Sequence, residues 1–108
     1  MLKKFFSVML LATVLIFVGN NAEAREVYVG SYSDGSAVYL LTESVRYRAV
    51  GGGAWDCRVR AGRDYLNYQF WVEDTGWQYR NSEGYHGYAY NGSSPVAAAI
   101  LNYIRNNY

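Results

Sequence analysis

Between residues 55 and 61 every second side chain is apolar: Trp55, Cys57, Val59 and Ala61 alternate with Asp56, Arg58 and Arg60. Consecutive side chains of an extended chain leave opposite faces, so a period of two predicts a strand with one buried and one wet face. Residues 65–73 repeat the pattern, with Leu66, Tyr68, Phe70 and Val72 on the apolar side and Tyr65, Asn67, Gln69, Trp71 and Glu73 on the other. A sheet with one hydrophobic face needs a second layer to cover it. The C-terminal segment supplies one. Ser94 suits a helix N-cap and Pro95 the first helical position, and Val96, Ala97, Ile100, Leu101 and Ile104 then recur at helical spacing.

Shorter β-branched and aromatic stretches, separated by glycine-containing turns, predict further strands over 26–31, 37–41, 44–50 and 77–80, with 85–90 as a candidate last strand. Asp34-Gly35 is a hairpin signal, and Asp74-Thr75-Gly76 reads as another turn. Together these patterns place the domain in the α+β class: a twisted antiparallel sheet of five or six strands, with one C-terminal helix packed on one face. Residues 28–36 and 85–93 resemble each other, which reads as two strands entering similar turns.

Ahead of this domain, Lys3 and Lys4 precede an apolar run from Phe5 to Val18, followed by Ala22-Glu23-Ala24, a small-x-small cleavage site. That order is expected of a secretory signal peptide over 1–24, with a single domain over 25–108. The run of 14 residues is shorter than the roughly 20 a spanning helix requires, and no second apolar run follows, so no membrane span is expected in the mature form. Export is therefore expected, to the periplasm, the cell surface or the extracellular medium. Both lysines lie in the leader, leaving eight arginines against eight carboxylates in the domain. A neutral domain lacks the accumulated positive charge that drives non-specific nucleic-acid binding, so no nucleic-acid partner is expected. Cys57 is the only cysteine, so no internal disulfide can form, and so short a chain leaves self-association open.

No catalytic constellation is evident. Cys57 and His86 are the only residues of their kinds and are the basis of an alternative reading, a small Cys/His-dependent enzyme. The alternation instead puts Cys57 on the core face as a small inert hydrophobe, with an intermolecular disulfide as the other reading. One histidine without suitably spaced partners is not a metal site, and neither metal nor cofactor is expected. Glu73-Asp74 reads as a turn, not an acid–base pair. All 12 tyrosines, the three tryptophans and one phenylalanine fall in the domain. This aromatic content suits a small core with wet edges or a binding surface. If the third to fifth strands are neighbours, Arg46, Arg48, Arg58, Arg60 and Trp71 share the open face, and these five are the candidate binding residues.

The segment Tyr39-Leu40-Leu41-Thr42-Glu43-Ser44-Val45 resembles the Tyr-x-x-[Ser/Thr/Asp]-x-Ser-[Ile/Val] stretch near the start of domains similar to bacterial surface-adhesin protein E. The polar turn Gly92-Ser93-Ser94-Pro95 and the helix after it match that family's C-terminal end in character. The resemblance implies an antiparallel sheet with a helix, a role in binding extracellular or host proteins, and no catalysis. The chain departs in having only Cys57 where the adhesin has cysteines able to pair, and no binding residues are carried over. The expected function is thus an exported, non-catalytic binding or interaction domain whose partner is an extracellular or envelope protein or glycan. A structural envelope component and an inhibitor of a secreted enzyme are the remaining alternatives.

Overall fold

A computed structural model describes residues 25–108; the expected signal peptide lies outside the described residues. Seven strands form one antiparallel sheet: β1 Glu26–Ser31, β2 Ala37–Leu41, β3 Arg46–Arg48, β4 Ala54–Ala61, β5 Asp64–Glu73, β6 Gly76–Asn81 and β7 His86–Tyr88. Helix α1, Pro95–Asn107, follows. Spatial order is β1-β2-β4-β5-β6-β7, with β3 also paired to β4.

The strand count exceeds the expected five or six because the short stretches at Arg46–Arg48 and His86–Tyr88 both form strands. A 3-10 turn at Thr42–Ser44 interrupts the chain between β2 and β3, so both lie along the same edge of β4. The stretch expected as a strand over 44–50 is therefore ordered as one only from Arg46 to Arg48. Within the turn, the Ser44 hydroxyl accepts the Arg58 N–H at 2.8 Å and bonds the Leu41 carbonyl at 2.6 Å. A side chain thus replaces the ladder bond that the turn removes. At the other end of the chain, residues 86–88 form a strand of their own.

Helix α1 starts where Ser94 accepts the Ala97 N–H at 3.1 Å, with Pro95 at the first position. Its buried stripe of Val96, Ala97, Ile100, Leu101 and Ile104 covers Val38, Leu40, Cys57, Val59, Leu66, Tyr68, Phe70 and Tyr79. Gly30 sits beneath the helix start, where an added Cβ would lie 3.6 Å from Val96. Tyr108 ties down the far end by donating to the Thr42 carbonyl at 2.9 Å, with its ring 6.2 Å from that of Trp55. Tyr32 and Tyr68 share a 2.6 Å hydroxyl hydrogen bond at the core margin, and burial raises both phenol pKa values.

The two similar sequence segments contribute to the outer strands β1 and β7. Gly30 and Gly87 hold the same place in them and take φ of +145° and +150°, backbone that favours glycine. Among the described residues no helix is long and apolar enough to cross a membrane.

Candidate functional site

The face opposite α1 is organised by strand register. Arg46, Asp56, Gln69, Arg80 and His86 form one row across β3 to β7. On one side of it lies the row Arg48, Ala54, Trp71, Gln78 and Tyr88. On the other side Arg58 opposes Asn67, and beyond them Tyr39, Arg60 and Tyr65 are aligned. Strands β3, β4 and β5 are neighbours, so Arg46, Arg48, Arg58, Arg60 and Trp71 all belong to this face.

These arginines are not equivalent. Arg48 grips Asp56 through both carboxylate oxygens, at 2.7 and 3.1 Å. Arg60 reaches across β2 to Glu26, with contacts of 2.7 and 3.0 Å, while also bonding the Gly62 carbonyl and lying 4.8 Å from the centre of the Tyr39 ring. The Arg60 hydrogen bonds hold the Glu26 carboxyl below its ordinary pKa, and the same contacts raise that of Arg60. Two of the candidate binding residues are thus neutralised in place by fork-to-fork pairs.

Among the described residues Arg46 and Arg58 have no such carboxylate. Arg46 donates to the carbonyls of Glu43 and Val45 at 2.7 and 2.9 Å. Arg58 uses its Nε on Asn67 at 3.3 Å and rests 5.7 Å from the Tyr65 ring centre. A third guanidinium, missed in the sequence reading, joins them: Arg80 donates through Nε to Gln69 at 2.6 Å and lies 5.9 Å from the Trp71 ring centre. Trp71 donates its indole N–H to Glu73 at 2.8 Å. The signal for Arg80 was the turn at Asp74-Thr75. With Glu73 opposite Gly76, counting back along both strands puts Arg80 opposite Gln69 on the open face.

Arg46, Arg58 and Arg80 line an open groove of about 640 Å³ across the middle of this face. Asn67, Gln69 and Ser82 contribute amides and a hydroxyl to its lining. Ser82 accepts the Asn67 N–H at 3.0 Å and continues the β5–β6 contact past the end of β6. A guanidinium carries five N–H donors. The terminal nitrogens of Arg58 and Arg80, which both line the groove, make no hydrogen bond to the protein among the described residues.

Cys57 lies on the helix-covered face, 4% exposed, and burial pushes its thiol pKa up to about 12. His86 is exposed on the opposite face, in register with Arg80 three strands from β4. The two are therefore not brought together: three strand spacings of about 4.8 Å and the thickness of the sheet separate them. A buried thiol with a raised pKa is a poor nucleophile. Among the described residues no group of three or more His, Cys, Asp and Glu side chains converges as a metal site would require. Comparison with family models, with curated proteins and with solved structures finds no match to this chain.

Proposed function

We propose that this chain is an exported, non-catalytic binding module that meets its partner through the open face of the sheet. The observation that carries this reading is the unequal treatment of the arginines. Arg48 and Arg60 are closed by carboxylates, whereas Arg46, Arg58 and Arg80 border one groove whose single carboxylate, Asp56, is already held by Arg48. An outer face evolved only for solvation has no need to gather uncompensated guanidinium groups over an internal part of the sheet. The sequence order of residues 1–24 supports delivery to the periplasm, the cell surface or the medium, and the resemblance at residues 39–45 supports an adhesin-like role there. The partner is an extracellular or envelope protein or glycan.

The test combines fractionation of source cells with retention of residues 25–108 on isolated envelope and extracellular-matrix fractions. Expected is export of the full chain, and retention that falls when Arg58 and Arg80 are changed to Gln. A chain retained in the cytoplasm, or retention indifferent to the two substitutions, overturns the reading.

A further inference from the structure

Resting on the binding-module reading, we infer that the groove of Arg46, Arg58 and Arg80 takes a linear acidic saccharide, one bearing carboxylate or sulfate groups on successive sugars. Charge fixes the sign of the ligand. Three guanidiniums without carboxylate partners border the groove, while its one acidic side chain, Asp56, is already held by Arg48.

Spacing fixes its valence. Arg46 and Arg80 stand in one cross-strand row with Asp56 and Gln69 between them. Three strand spacings put their backbones about 14 Å apart. Arg46 is held at the Glu43 and Val45 carbonyls and Arg80 at Gln69, and a chain carrying several acidic groups can meet both without displacing either.

The lining chooses among polyanions. An extended peptide gains affinity chiefly by adding to a sheet edge or by burying an apolar anchor in a pocket. The groove offers neither. It lies over β4 and β5, whose backbone groups are engaged on both sides by β2, β3 and β6, and its floor is set with Ser44, Asn67, Gln69 and Ser82. A nucleic-acid strand would want open aromatic faces for its bases. The lining of the groove offers none: its one aromatic residue, Tyr68, is buried in the core. What remains is guanidinium for acidic groups, with amides and hydroxyls for sugar hydroxyls.

Residues 25–108 are titrated calorimetrically with an oligogalacturonate hexamer, a sulfated hexasaccharide, a neutral cellohexaose and an octaglutamate peptide. Expected is saturable binding of at least one acidic saccharide, weakened by added salt, with no binding of the neutral hexamer. Each of Arg58→Gln and Arg80→Gln is expected to lower the affinity about tenfold, the size of one charge-assisted contact. Amide chemical-shift mapping on the unsubstituted protein is expected to place the perturbations on β4, β5 and β6, which keeps the test independent of how the variants fold. Failure of both acidic saccharides, tighter binding of the peptide, or perturbations on another face overturns the inference. If arginine-dependent retention on envelope or matrix fractions persists alongside that failure, the binding-module reading stands and only the saccharide is wrong.

Discussion

The two faces of strand β5 are built from alternate residues of one stretch of chain and have opposite economies. Tyr68 and Phe70 point under α1 and are sealed from water, within a stacked group that includes Tyr79. Asn67, Gln69 and Trp71 point the other way and are tied by single hydrogen bonds to Arg58, Arg80 and Glu73. Stability therefore resides on one side, and the arginines of the proposed groove stand on the other. Changes to the open face leave the packing beneath it largely untouched, and changes to the core leave no fold on which to present the arginines.

The largest expected effect tests that division directly. Phe70→Ala removes a ring with no exposed surface and is expected to cost about 3–5 kcal/mol, a large part of the stability of so small a domain. Asn67→Ala on the opposite face of the same strand should stay within about 0.5 kcal/mol. Denaturant unfolding of the two variants reads the contrast, and equal losses would break it.

Gly92→Ala comes next. An added Cβ would run into the carbonyl oxygen of Tyr88, a backbone atom that cannot rotate away, and the expected loss is about 2 kcal/mol by thermal unfolding. Ser94→Ala removes the cap that holds the Ala97 N–H and should cost about 1 kcal/mol, sharpening the view that the covering layer depends on where α1 begins.

The smallest effect lies on the open face. Because Arg60 lowers the Glu26 pKa in the folded state, their pair stabilises the fold above the ordinary carboxyl value of 4.5, and that contribution is lost as pH falls through the lower folded value. Unfolding midpoints measured from neutral pH downward should show a shallow extra decline that Glu26→Gln removes.

Period-two alternation made β4 and β5 legible residue by residue, and Ser94-Pro95 marked the start of α1, because these patterns answer to local geometry alone. The third strand was less legible. Its length depends on the Ser44 hydroxyl finding the Arg58 N–H 14 residues away, a long-range bond with no local signature. The same limit explains the candidate site. Alternation assigned Arg46, Arg48, Arg58, Arg60 and Trp71 to one face, but which arginines meet carboxylates depends on strand order and register. Arg60 is closed by Glu26 from β1, two strands away. Arg80 required following the β5–β6 hairpin as well.

The paired glycines at the two margins of the sheet bear on how the protein behaves in a crowd. Strand β1 shifts register between Tyr28 and Gly30, and β7 is only three residues long with Gly87 within it. An edge that breaks step after a few residues is a poor template for a strand from another molecule. The outer strands β1 and β7 thus offer little to such pairing, and growth into fibrils through these two edges is not expected.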